Sequence, residues 1–208
     1  MKIIALQGRP SSAERTLLDA MHRLRMRVFS GRLAWQVSSR AGREFDEFDL
    51  MSPTYIVALS ATHQIAGCAR LLPATGPTML ERTFPQLLAN GHLNAHRAMI
   101  ESSRFCVDTA IVEERGAKPL HEATLTMFAG IIEWSMLHGF TEIATATDVR
   151  VERILRRAGW PMRRLGEPQM INQTKSVAGL LPADRASFER VQPEGYRSNF
   201  NLSREYAA

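Results

Sequence analysis

The sequence predicts an α/β protein, a mixed central sheet flanked by helices. Short apolar runs alternate with helical periodicity in the order strand, helix, hairpin, strand, helix, strand, helix. The 208 residues are 45% apolar, a normal globular composition. A chain of that length, read as one domain over residues 1–208, buries about 70% of its unfolded-state surface. No apolar run reaches eighteen residues, and the opening MKIIALQGRPSSAER is broken early by Gly8 and Pro10. Neither a leader peptide nor a membrane span is expected.

Taken in order, residues 2–7 read as a first strand. Ser11 or Ser12 caps a helix with Glu14 in its first turn, running to about Val28 or beyond. Leu24, Val28 and Phe29 form its apolar stripe, and Arg25, four residues before Phe29, sets a guanidinium beside a ring. After Trp35 the periodicity fails, and residues 36–52 are expected to be irregular and partly mobile. Residues 54–60 and 64–72 make a hairpin across a polar turn. Met79–Phe84 leads to PQLLANGHLN, one or two helical turns. Residues 99–107 (MIESSRFCV) are a strand, followed by a charged connection to Lys118. A long helix starts at Pro119 and stops at His138-Gly139. A strand over 140–147, an amphipathic helix over 149–158, strands near 162–165 and 171–177, and a helix over 184–191 complete the pattern. The tail from Gln192 is uninformative.

Two places do not read as ordinary core. In REFDEFDL, Glu44, Asp46, Glu47 and Asp49 interleave with Phe45 and Phe48, a mixture that neither a core helix nor a core strand requires; an exposed acidic loop is the plain alternative. In ESSRFCV, Glu101 and Arg104 fall on opposite faces of the expected central strand by simple alternation. A surface ion pair explains this, and so does a β-bulge near Ser102–Ser103. Arg70, within GCARLL, is placed for burial and then needs a carboxylate, with Asp46, Asp49 and Glu101 as candidates. Such a network can be purely structural, or it can grip a zwitterion, whose carboxylate pairs with arginine and whose amine pairs with aspartate.

Formal charge is +5, from 26 basic and 21 acidic residues. Arginines concentrate between Arg23 and Arg43 and between Arg150 and Arg164. That surface suits an acidic partner, whether nucleic acid, an acidic carrier protein or a phosphorylated cofactor. Cys68 and Cys106 lie in apolar strands, so a reduced cytoplasmic protein without disulfides is expected. The six histidines lack metal-ligand spacing apart from His92 and His96, and no metal is expected. GxGxxG, P-loop, HExxH, paired CxxC and GxSxG motifs are all missing.

At these positions the sequence resembles the acyl-homoserine-lactone synthases, the LuxI-type autoinducer synthases. The resemblance rests on LRMRVFSGRLAW with Arg25, Phe29 and Trp35, EFDEFD with Asp46 and Asp49, GCARLL with Arg70, ESSRFCV with Glu101 and Arg104, and ERILRRAGWPMRRLGEP over residues 152–168. It extends to about Leu180. It implies a three-layer αβα, acyl-CoA N-acyltransferase-like (GNAT-like) fold and a reaction in two stages. The amine of S-adenosylmethionine attacks an acyl thioester, and the product's carboxylate then closes a lactone, releasing methylthioadenosine. S-adenosylmethionine is thereby a substrate, and no cofactor is expected. By the same resemblance, Arg25, Phe29, Trp35, Asp46 and Arg104 bind S-adenosylmethionine, and Asp49 and Arg70 complete the polar network. Glu101 serves as base directly or through water; Phe84, Ser103 and Thr145 contribute to the acyl pocket. Arg150, Arg153, Arg156 and Arg157 face an acyl carrier protein, the preferred donor, with acyl-CoA possible. Nucleic acid is not an expected partner, and a monomer is the default. A small-molecule N-acetyltransferase and a noncatalytic basic module are the competing classes.

Overall fold

The computed structural model describes residues 1–7, 10–33, 35–108 and 119–200. It contains an eight-stranded mixed sheet with helices against it, and a separate two-stranded ribbon. The chain divides into two compact units. The first takes Met1–Arg70, Arg104–Ile131 and the tail from Gln192; the second takes Leu71–Ser103 and Ile132–Val191.

The first unit begins with strand β1 (Lys2–Leu6) and helix α1 (Ser12–Arg25). Ser11 caps that helix reciprocally: its hydroxyl accepts from the Glu14 amide, and its own amide donates to the Glu14 carboxylate. This capping box satisfies donors that the first helical turn leaves open. From Met26 to Arg32 the helix widens into a π-helical stretch, with the Leu33 amide reaching back to the Val28 carbonyl. Such widening changes which side chains share a face.

Residues 36–52 are more regular than the sequence suggests. Strands β2 (Ser39–Arg40) and β3 (Arg43–Glu44) pair antiparallel. Between them Ala41 and Gly42 have φ of 51° and 73°, the left-handed pair of a tight hairpin turn. A 3-10 turn over Glu47–Leu50 follows, capped by Asp46. Strands β4 (Thr54–Leu59) and β5 (Ile65–Pro73) come next, and β1 runs antiparallel to β4. The hydrogen-bonded order is β1-β4-β5-β6, where β6 is Met99–Val107. Leu6, Met21, Leu24, Val28, Phe29, Tyr55 and Val57 close the core between α1 and the sheet. Helix α3 (Pro119–Leu137) approaches the sheet closely at Gly130, where a Cβ would stand 2.8 Å from Ile3 Cγ2. The tail is not idle: Ile3 donates to the Arg197 carbonyl and accepts from Asn199.

The second unit holds the other halves of β5 and β6. Its helix α2 (Met79–Thr83) precedes a 3-10 turn over Pro85–Leu87, so the helical turn begins earlier than PQLLANGHLN suggests. Strand β7 (Glu142–Asp148) runs parallel to β6, with a register from Met99↔Glu142 to Ser102↔Thr145. Asp148 then caps helix α4 (Val149–Arg157) by accepting from the Arg150 and Val151 amides. The single strand expected near 171–177 is a hairpin instead: β9 (Gln169–Ile171) folds on β10 (Thr174–Pro182), turning at Asn172 with φ of 52°. Strand β8 (Arg163–Arg164) also pairs β10, and helix α5 (Arg185–Val191) ends the unit. Ala74, Leu80, Leu87, Met99, Ala144 and Leu180 share its core. Trp160 is a packing plug whose indole donates to the Pro182 carbonyl. No helix of the described residues is long and apolar enough to cross a membrane.

Candidate functional site

The acidic segment of the first unit is folded inward. Three carboxylates, Glu44, Asp46 and Asp49, meet three guanidiniums, Arg25, Arg70 and Arg104. Formal charge within the cluster cancels, which is the condition for burying ions. Arg25 donates through Nε to Glu44 at 2.5 Å and through both terminal nitrogens to Asp49 at 2.7 and 2.9 Å. Arg70 donates to both Asp46 and Asp49. Arg104 donates to Glu44 at 2.9 Å and pairs with Asp46 at 2.8 Å.

Asp49 is the hub. Its Oδ1 accepts from Arg25, Arg70 and the Tyr55 hydroxyl, and its Oδ2 from Arg25 and the Asp46 amide. Burial alone would raise its pKa, but the Arg25 guanidinium overrides that and holds the carboxyl well below the usual carboxylate range. Burial and the same carboxylate push the Tyr55 hydroxyl far above its ordinary value. Desolvation opposes the charge on Arg25, yet Asp49 and Glu44 outweigh it and raise its pKa further.

Accessibility divides the cluster. The side chains of Arg25, Glu44, Asp49 and Arg70 are wholly buried, whereas Arg104 is 10% and Asp46 15% exposed. Phe29 and Trp35 stack with ring centres 5.3 Å apart, and the Arg104 guanidinium lies over Phe29 at 5.6 Å. The Arg25–Phe29 pairing expected from four-residue spacing is therefore replaced by Arg104–Phe29. The helix widens between the two residues, and Arg25 is drawn instead to Glu44 and Asp49.

Arg104 reaches this position through its backbone. Its φ is 54°, a left-handed conformation that costs a non-glycine residue energy and re-aims its side chain. This left-handed residue lies just beyond the end of the parallel β6–β7 ladder at Ser102. Cys68 and Cys106 are buried free thiols with sulfurs 3.5 Å apart. Their mutual hydrogen bond, followed by burial, pushes the Cys68 pKa well up.

The second unit contains Glu101, Phe84, Ser103 and Thr145. Glu101 is buried, and its oxygens accept from the backbone amides of Met79 at 2.9 Å and Leu80 at 2.6 Å. It anchors the start of α2, beside the cap that Thr78 provides to Glu81. Phe84 packs against the apolar cluster with Leu80 and Ala144, and Thr145 donates to the Ser102 carbonyl at 2.8 Å. Arg150, Arg153, Arg156 and Arg157 are exposed along α4. Arg163 and Arg164, in contrast, pair with Glu142 and Glu152.

Glu44 and Tyr55 were missed as site residues. Glu44 is one acidic residue among four in a short run, and Tyr55 opens a strand whose apolar pattern accounts for it. Nothing local marks either as a partner of Arg25, Arg104 or Asp49. The charged connection at 109–118 lies outside the described residues. Among those described, no group of His, Cys, Asp or Glu is placed to hold a metal ion.

The sheet order and flanking helices are those of the GNAT-like acyltransferase fold, shared with solved acyl-homoserine-lactone synthases. One is BjaI, described as a CoA-dependent synthase with SAM and isopentyl-CoA; it aligns with a TM-score of 0.81 and 22% identity over 95% of this chain and 92% of its own. Another is TofI in a ternary complex with an inhibitor and MTA, at a TM-score of 0.76 and 28% identity over 93% and 98% of the two chains. The autoinducer synthase family model matches residues 10–191, and the chain belongs to that family. It is 60% identical over 198 residues to an acyl-homoserine-lactone synthase of Agrobacterium fabrum, covering 95% of this chain and 94% of the relative. It is an enzyme, an acyltransferase of the acyl-homoserine-lactone synthase type.

Proposed function

We propose that this synthase acylates the amine of S-adenosylmethionine from a thioester donor and then lactonises the product. The observation that carries the reading is the division of the charge cluster. Four wholly buried ions hold two partly exposed ones, Asp46 and Arg104, and Arg104 lies over Phe29, which stacks on Trp35. Arg104 suits the substrate carboxylate, Asp46 its ammonium, and the ring pair its adenine. Arg25, Asp49 and Arg70, with Glu44, fix these groups from behind, so little reorganisation is required on binding. The MTA bound by TofI is the nucleoside expected as leaving product.

In the first stage the neutral amine attacks the thioester carbonyl; an N–C bond forms, the C–S bond breaks and the donor leaves as a thiol. The proton lost from nitrogen passes through a water to Glu101, which α2 holds in place, and from there to the departing sulfur, which leaves as the thiol. An α-amine with a pKa near 8 makes this a modest demand. In the second stage the carboxylate oxygen attacks the γ-carbon and displaces the sulfonium as neutral methylthioadenosine, closing the lactone. Phe84, Ser103 and Thr145 contribute to the acyl site, with Leu80 adding to its apolar wall.

The donor is an acyl carrier protein, steered by Arg150, Arg153, Arg156 and Arg157 on α4. BjaI is described with isopentyl-CoA, so acyl-CoA is the alternative donor to test. The deciding experiment incubates the protein with S-adenosylmethionine and matched acyl carrier protein and acyl-CoA panels, with mass analysis of extracted lactones and methylthioadenosine. Lactone without methylthioadenosine, or neither product with any donor, overturns the reading. Lactone from acyl-CoA alone overturns the donor assignment and leaves the two-stage reaction intact.

A further inference from the structure

The second unit also contains a cavity of about 780 Å³, lined in part by Arg153, Arg156, Arg164 and Lys175. It lies within the size range of small-molecule sites. Glu152 and Glu167 are its acidic lining residues, so the formal balance at its wall is +2, four cations against two carboxylates. Glu152 is already committed. Arg164 donates to both of its oxygens, at 2.6 and 2.8 Å, and that partner holds its carboxyl below the usual range. The pair fixes one guanidinium in place, and Glu167, the other lining carboxylate, also acts on Arg164. Arg153, Arg156 and Lys175 have no ion pair with any described residue.

Several like charges converging on a concave wall repel one another. Their field is concentrated where the surface is recessed, and an anion relieves it. The remaining lining includes Val149, Pro161, Met162 and Pro168, which offers an apolar surface next to the charge. Arg153 and Arg156 lie three residues apart on α4, on one face of the helix. Lys175 enters from β10 and Arg164 from β8. Cations from three separate elements surround one space. A carrier-docking helix requires only an exposed basic face, so it does not account for the contribution of β10 and β8. Arg150 and Arg157, on the same helix, are not among the lining residues.

We infer that this cavity binds a phosphorylated small molecule, its phosphate on Arg153, Arg156 and Lys175 and its less polar part on the Met162 side. The binding does not require S-adenosylmethionine or turnover. The phosphate can come from the nucleotide end of a CoA-type donor or from a free nucleotide, and the chemistry of recognition is the same.

Isothermal titration of the whole protein with pyrophosphate, adenosine 3′,5′-bisphosphate and unphosphorylated adenosine tests this directly. One saturable site for the two phosphorylated probes and none for adenosine is expected. Arg153→Ala and Lys175→Ala each weaken binding about tenfold or more, the usual loss for a charge-assisted hydrogen bond. Arg150→Ala, one turn away on the same helix but outside the cavity, leaves it unchanged. Equal weakening by all three substitutions reveals diffuse attraction to a basic helix and overturns the site, as does the absence of saturation with either phosphorylated probe. Because binding is read without turnover, it stands or falls separately from the lactone assay. Competition between adenosine 3′,5′-bisphosphate and acyl-CoA identifies the donor as the source of the phosphate; noncompetitive behaviour identifies a free nucleotide.

Discussion

Replacing Glu101 with Gln alters two proposed roles at once, and their magnitudes separate them. The carboxylate accepts from two adjacent backbone amides at the start of α2 and is 2% exposed. Glutamine is nearly isosteric, but only its oxygen accepts, so its NH2 group meets one of those N–H donors head on. Leaving one buried donor unsatisfied and making the other bond neutral costs about 2–4 kcal/mol in all. For a chain of this size that corresponds to a fall in Tm of roughly 5–12 °C. Independently, loss of the proton acceptor slows amide formation about 10²–10⁴-fold, with the loss measured over pH 6–9 in single-turnover experiments at temperatures well below the new Tm. Thr78→Ala is the control, because it removes the cap on Glu81 and weakens the same short helix without touching the carboxylate. An unchanged Tm for Glu101→Gln refutes the anchoring argument. An unchanged rate and pH profile, or a Thr78→Ala rate as low as that of Glu101→Gln, refutes the base role and leaves Glu101 as an anchor.

Glu44→Ala removes a carboxylate that joins Arg25 to Arg104, stripping buried charge of a partner; a loss of about 3–5 kcal/mol is expected by chemical denaturation, together with a raised KM for S-adenosylmethionine. His22 is pressed between Phe45 and Tyr55 with Nδ1 2.8 Å from the Glu44 carbonyl, and burial, then Arg25, lowers its pKa. The folded state thus favours neutral His22 against the nearby Asp49 and Glu44 carboxylates, so its contribution is present above the unfolded-state value near 6.5 and declines as pH falls toward the lower folded value. His22→Asn should flatten that part of the stability–pH curve. Hydrogen exchange should find the Asp46 and Phe48 amides protected without ligand, because carboxylates accept from both, while residues 36–43 gain protection only when S-adenosylmethionine binds. Arg150→Ala with Arg157→Ala should raise the KM for an acyl carrier protein and flatten its salt dependence, leaving the KM for S-adenosylmethionine unchanged.

The elements legible in the sequence are those whose signals are local. Ser11 with Glu14, Pro119 at the start of a long apolar helix, Gly139 at its end with φ of 79°, and the apolar run of β4 all carry their explanation within a few residues. The failures have the same origin. Ala41-Gly42 turns a hairpin only two residues long on each side, too short for alternation to register. Asn172 divides what looks like one strand into β9 and β10. The tail from Gln192 pairs with β1 through backbone amides and carbonyls, which any sequence supplies.

The charge cluster shows how far composition reaches into the site. A buried arginine demands a carboxylate, and that rule alone leads from Arg70 to Asp46 and Asp49. It does not distinguish the ions that hold from the ions that are reachable, since both kinds are arginine and carboxylate in one short acidic run. That distinction arises from three long-range features: the π-helical widening after Arg25, the left-handed backbone at Arg104, and the Tyr55 hydroxyl closing the coordination of Asp49. Together they commit Asp49 to five donors, while Asp46 and Arg104 keep some exposure. A substitution at Asp49 should therefore act first on folding, and a substitution at Asp46 or Arg104 first on substrate binding, although all three are charged residues of the same network.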